Sequence, residues 1–239
     1  MIDEIKDAYK REGFWEVIRE SLEYLSYASR VKVHEQFVGL PDGILYNYIK
    51  WRAKIHPRYV DSNPLEPIYV DPNSITHYSN LKRPIKWGKI TGGSWDRPEE
   101  SFIDRDIVQG IYKYIEQNDD SLLRTAIEQR IKRGRRPVWG YEDPDCAEQR
   151  LEDVRLLIES IKTDGYLRQV EVKSKDDGWR GTYHYPPRLN EVTVNIGRDG
   201  SLYYVYCGQH RLAIAQALEL EQIPVLVSHR HEKWEEKRI

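Results

Sequence analysis

Residues 203–218, YYVYCGQHRLAIAQAL, constrain the fold of this chain more than any other stretch. An apolar run of strand character meets a glycine, then a polar pair, then an alanine-rich run with helical spacing. Gly208 permits a sharp turn and close approach of backbone. The helix that follows offers unpaired N–H groups and the positive end of its dipole. His210 and Arg211 place further donors beside them. These are the groups a phosphate needs. A strand–helix turn whose Arg211 simply pairs with a carboxylate would carry the same letters.

The flanking sequence alternates strand and helix. Residues 191–195 alternate as a strand should, Arg198-Asp199-Gly200 favours a hairpin turn, and 202–206 return as a second strand. A helix is predicted from about Gln209 to Leu220, and Ile223 to Val227 reads as a buried closing strand. Upstream, Ile68 to Val70 is a short strand closed by a turn, and Val170-Glu171-Val172 reads as another. Three helices lie between them. One carries Ile103, Ile107, Ile111 and Ile115; the next carries Leu122, Leu123, Ala126, Ile127 and Ile131. The third starts near Asp143-Pro144-Asp145, carries Leu151, Val154, Leu157, Ile158 and Ile161, and is capped by Gly165. The first sixty residues look helical, with Phe14, Val17, Ile18, Leu22 and Leu25 on one face and a second helix from Asp42 to the His56-Pro57 break. The expected class is therefore α/β (α+β): a small mixed-sheet domain with an N-terminal helical extension and a helical insertion.

Composition narrows the setting. Lys and Arg total 37 and Asp and Glu 39, a net charge of −2, so any polyanion site must be local. No stretch approaches the roughly 20 apolar residues of a membrane span, and the charged N-terminus lacks a signal-peptide core. A cytoplasmic location is expected. Cys146 and Cys207 suit a reducing compartment and form no zinc spacing.

The turn residues Gly208-Gln209-His210-Arg211 resemble the ParB/sulfiredoxin signature, a glycine and a variable residue followed by His-Arg or Arg-Arg. Residues 159–165, ESIKTDG, are similar to the helix end of that superfamily. The strands at 170–172 and 223–225 resemble its later strands, and residues 68–72 resemble its opening strand. The resemblance covers roughly 66–81 and 147–230. It implies a domain at 66–230 with an insertion at about 82–146, a helical extension at 1–60 and a polar tail at 231–239.

The superfamily holds sulfiredoxins, which reduce a peroxidised cysteine with ATP; ParB proteins, which bind CTP and clamp on DNA; and a free serine kinase. Gln209 stands where sulfiredoxins carry their catalytic cysteine, so that chemistry is disfavoured and Cys207 reads as a small buried residue. The chain continues only twelve residues past Val227, which leaves no room for the DNA-binding and dimerisation regions of partition proteins. The resemblance thus implies nucleotide binding and a kinase-like architecture.

A second candidate segment is 87–96, WGKITGGSWD. Gly92 and Gly93 let backbone N–H groups converge on an anion, Lys89 can reach a phosphate, and Asp96 can act as a base or hold Mg²⁺. A Gly-rich turn pinned by Trp87 and Trp95 is the plainer alternative. Glu191, Asn195 and Asp199 are weaker candidates for a base. His229 and His231 read as a solvated strand end, and the basic cluster from Lys132 to Arg136 as a helix terminus that complements the dipole. The expected function is an ATP- or ADP-dependent kinase or phosphotransferase acting on a small hydroxyl-bearing substrate, with CTP as an alternative nucleotide. Gly208, Gln209, His210, Arg211, Gly92 and Gly93 would hold phosphates; Asp96 and Lys89 would carry the chemistry. The rival is a non-catalytic nucleotide-binding regulator that contacts nucleic acid through Lys132 to Arg136.

Overall fold

A computed structural model describes residues 42–56, 58–60, 63–81, 86–133, 146–172 and 187–237. The chain divides into two units, Met1–Leu45 and Tyr46–Ile239. Of the first, only residues 42–45, the opening turn of a helix, are described. The helix expected over Phe14 to Leu25 lies outside the described residues, as do 134–136 of the basic cluster.

Among the described residues the elements run α1 (Asp42–Ile55), β1 (Ile68–Val70), β2 (Ile75–Tyr78), β3 (Lys89–Thr91), α2 (Asp106–Gln117), α3 (Ser121–Arg133), α4 (Ala147–Asp164), β4 (Val192–Ile196), β5 (Leu202–Tyr206), α5 (Gln209–Ala217), β6 (Ile223–His231) and α6 (Glu232–Glu236). The mixed α/β class holds. The sheet order is β1-β6-β4-β5-β2, with β3 also paired to β6. β4 runs antiparallel to β5 and parallel to β6, while β2 runs parallel to β5. One flank of β6 is shared: its first residues pair with β1 and its last three with β3.

The alternation of strand side chains explains the layering. Val192, Val194 and Ile196 of β4 and Ile223, Val225 and Val227 of β6 join one buried cluster with Ile107, Ile111, Leu123, Ile127, Leu151, Ile158 and Leu212 from the helices. Helices α2 to α5 thus cover one face of the sheet. The α2–α3 contact is close because Gly110 has no Cβ: one built there would meet the Leu123 Cα at 2.6 Å. Asn118 ends α2 in the left-handed region and Gly165 ends α4 at φ 78°, the expected cap. At the far end of α5, Gln216 Nε2 donates to the carbonyls of Pro72 and Ile75, at 2.8 and 3.0 Å, clamping the helix to the start of β2.

Two expectations are corrected. Residues 170–172 are no strand. Arg168 accepts from the Glu171 amide at 2.8 Å, its own amide donates to the Glu171 carboxylate at 2.7 Å, and this local turn wins over β propensity. The Gly-rich turn pinned by Trp87 and Trp95 contains β3, because its edge hydrogen-bonds to β6. The polar tail begins with α6, and His231 caps that helix by accepting from the Lys233 amide. The second unit begins at Tyr46, so residues 46–60 lie within it. Arg52 Nη2 donates to the Lys86 carbonyl at 3.0 Å, and the amides of Val60 and Ile90 donate to the carbonyls of Gly88 and Arg58 at 3.0 and 2.8 Å.

Candidate anion-binding site

Gly208 is the N-cap of α5 at φ 65° and ψ 25°, and no side chain caps the helix. Cys207 before it also lies in the left-handed region, at φ 57°. Such a conformation is costly for a residue with a Cβ and collects where a loop must hold one shape. A Cβ on Gly208 would meet Val192 at 2.8 Å and the Arg211 guanidinium at 3.1 Å, so only glycine fits.

The four turn residues do different work. Gln209 faces the helix start: its Oε1 accepts from Arg130 Nη2 at 2.9 Å and its Nε2 donates to the Tyr78 hydroxyl at 2.5 Å. The Arg105 guanidinium sits 4.8 Å from the Tyr78 ring centroid. Desolvation, then the nearby charges of Arg130, Arg150 and Arg211, hold His210 down at about 3, so it is a neutral imidazole and not a cation. Arg105 precedes α2, Arg130 lies on α3 and Arg150 on α4. Arg105 pairs with Glu100 at 2.5 Å and Arg150 with Asp153 at 3.1 Å, so Arg130 is the arginine that reaches the uncapped helix N-terminus through Gln209, an arrangement that favours an anion.

Arg211 turns away from that spot. It is 7% exposed; its Nη1 donates to Glu191 Oε2 at 3.0 Å, and its Nη2 to the Asn190 carbonyl. Glu191 Oε1 accepts from the Gln169 amide at 2.7 Å, and burial raises its carboxyl above the usual range against the pull of Arg211. Arg211 therefore positions the turn from beneath and is not placed to touch a phosphate. Cys207 lies beside this pair, and burial pushes its thiol up to about 12, which suits a structural role.

The 87–96 segment belongs to the other end of the sheet. Asp96, buried, accepts from Arg198 Nε at 2.7 Å, Nη2 at 2.6 Å and the Arg198 amide at 2.9 Å. Arg198 lies in the β4–β5 turn, whereas Gly208 leaves the opposite end of β5. The length of that strand, roughly 15 Å for five residues at about 3.3 Å each, separates them. The Arg198 hydrogen bonds hold the Asp96 carboxyl down to about 2, so it stands as the ionised partner of Arg198 at the end of β5 away from the turn. Lys89 opens β3 beside His229, three strands from β5 in the sheet. Gly92 packs against the Glu232 carboxylate, which would repel an anion, and the Gly93 carbonyl accepts from Arg198 and from His231 Nε2 at 3.0 and 2.9 Å. His229 and His231 are each 1% exposed, not solvated. Of the candidate acids, Glu191 serves Arg211, and Asp199 Oδ1 accepts from the Ser201 amide at 3.0 Å in its own turn. Among the described residues no group of three or more His, Cys, Asp or Glu could hold a metal ion.

Arg130, Arg150 and Tyr78 were not singled out by sequence reasoning. The signal available was slight: two arginines on the inward side of otherwise amphipathic helices.

Fold and site together define a mixed α/β domain with an arginine-lined strand–helix turn. Comparison with family models, with curated proteins and with solved structures finds no match.

Proposed function

We propose that the chain binds the phosphate groups of a nucleotide at the start of α5, as the ParB/sulfiredoxin resemblance implies. The observation that carries this reading is the meeting of the uncapped α5 N-terminus with Arg130, which reaches Gln209 from the helical insertion. Gly208 lets backbone approach the ligand, the first amides of α5 and the Gln209 side chain donate to it, and Arg130 balances its charge. Arg211 and Glu191 hold the turn in shape. ATP, ADP and CTP carry the required chemistry, and Mg²⁺ would accompany the nucleotide.

Transfer of the phosphoryl group to a small hydroxyl-bearing acceptor needs a base beside the phosphates. Asp96 and Lys89 stand elsewhere, and burial raises the Tyr78 hydroxyl further from basicity. A nucleotide-binding regulator is therefore the better-supported form of the proposal, and a kinase the second. A thermal-shift series with ATP, ADP, CTP and GTP, with and without Mg²⁺, tests binding, because a ligand of the folded state raises the melting temperature by mass action. A rise with at least one nucleotide is expected; no rise at millimolar concentrations would count against the proposal. Turnover with an amino acid, polyol or sugar would restore the kinase reading.

A further inference from the structure

Arg130 fixes the orientation of the Gln209 amide. A guanidinium only donates, so the Gln209 atom 2.9 Å from Arg130 Nη2 is the carbonyl oxygen, Oε1. The amide nitrogen then faces Tyr78, 2.5 Å away, and donates to the phenol oxygen. With that oxygen accepting from Gln209, the phenol proton is turned elsewhere. Among the described residues it meets no acceptor. The Tyr78 ring is surrounded by Phe102 and Tyr204, with centroids 5.4 and 5.2 Å away, and by the Arg105 guanidinium.

Topology places this proton at the phosphate turn. β2 and β5 are parallel, with Tyr78 opposite Tyr204, and β5 leads through Cys207 to Gly208. Both strands therefore end on one side of the sheet. In open α/β sheets ligands sit outside the carboxyl ends of the strands. Tyr78 is the last residue of β2 and Gln209 the first of α5. Burial holds the Tyr78 hydroxyl above its ordinary range, so it stays protonated and can donate. Glu100, whose charge reaches Tyr78, is paired with Arg105 at 2.5 Å.

We infer that Tyr78 is a ligand-contact residue of the phosphate site and donates its phenolic proton to a phosphate oxygen. This rests on the phosphate reading above and narrows the ligand. The phenol proton, the second Gln209 amide hydrogen, the first amides of α5 and Arg130 all offer hydrogens, and Gln209 Oε1 is taken by Arg130. The group they hold accepts on every oxygen that faces them. An ionised phosphate does so; the N–H of an amide or a protonated phosphate oxygen finds no acceptor there.

The experiment is isothermal titration of inorganic pyrophosphate, ATP, ADP and CTP into the full chain, Tyr78→Phe, Gln209→Ala and the double variant. Tyr78→Phe keeps the ring and removes only the hydroxyl. It should weaken the best-bound probe roughly tenfold, the worth of a hydrogen bond to a charged acceptor, while circular dichroism and the melting temperature of the free protein stay unchanged. The same loss should appear when Tyr78→Phe is added to Gln209→Ala, because the phenol meets the phosphate directly. Equal or higher affinity in Tyr78→Phe would overturn the inference and leave the phosphate reading standing. So would a loss that vanishes in the Gln209→Ala background, which would make Tyr78 a support of Gln209 alone. No binding of any probe to the wild-type chain at millimolar concentrations would overturn the phosphate reading and this inference with it.

Discussion

Arg211 Nη1 donates to Glu191 Oε2 at 3.0 Å, with the two side chains 8% and 1% exposed beneath the turn that begins α5. This pair ties the start of α5 to the residues that lead into β4. Removing one member leaves the other charge buried, which typically costs about 3–5 kcal/mol. Arg211→Ala should lower the free energy of urea unfolding by that amount. The double substitution Arg211→Met with Glu191→Leu should recover most of it, since no charge is then stranded. An Arg211→Ala protein of unchanged stability would show that the arginine faces outward and is free for a ligand.

Acid should weaken the fold in two separable steps. His210 is held at about 3 in the folded chain against an ordinary 6.5, so the unfolded chain takes up a proton that the folded chain refuses. Its contribution is present above pH 6.5 and is lost as pH falls toward 3. Asp96 is held at about 2 against an ordinary 3.8, so its contribution is lost only below about pH 4. Urea unfolding at a series of pH values should show stability declining from pH 6.5 downward. His210→Gln should flatten the curve between pH 6.5 and 4, and Asp96→Asn only below pH 4. A single acid transition that neither substitution alters would contradict both assignments.

Gly110 offers a test of the packing between α2 and α3. In an exposed helix Gly→Ala stabilises by about 1 kcal/mol. Here the added Cβ would meet Leu123 backbone at 2.6 Å, and such overpacking costs about 1–3 kcal/mol. Gly110→Ala should lower the melting temperature; a rise would mean that the two helices separate readily.

Much of the fold was legible in the sequence because local signals agreed with burial. The strand–glycine–helix succession at 202–217, the apolar faces of α2 to α4 and the Gly165 cap all follow periodicity or backbone freedom. What failed did so for non-local reasons. The apolar alternation of 170–172 lost to a turn closed by the Glu171 carboxylate. The three glycines, lysine and single acid of 87–96 looked catalytic, yet Asp96 answers Arg198, 102 residues away, at the wrong end of β5. His-Arg in the turn looked cationic, yet burial neutralises His210 and Glu191 claims Arg211. The cation at the start of α5 comes from Arg130, whose approach depends on how α3 packs and leaves no trace in local spacing.

The central claim is that a nucleotide phosphate sits at the start of α5 and not at the Asp96 end of the sheet. Isothermal titration of ATP, ADP and CTP into the wild-type chain, Arg130→Gln, Gln209→Ala and Asp96→Asn tests it most directly. Arg130→Gln should weaken the best-bound nucleotide by about 1.5–3 kcal/mol, the worth of a charge-assisted contact, and Gln209→Ala by about 1 kcal/mol. Asp96→Asn should leave affinity unchanged in the folded protein. The contrary result is affinity lost with Asp96→Asn and kept with Arg130→Gln and Gln209→Ala.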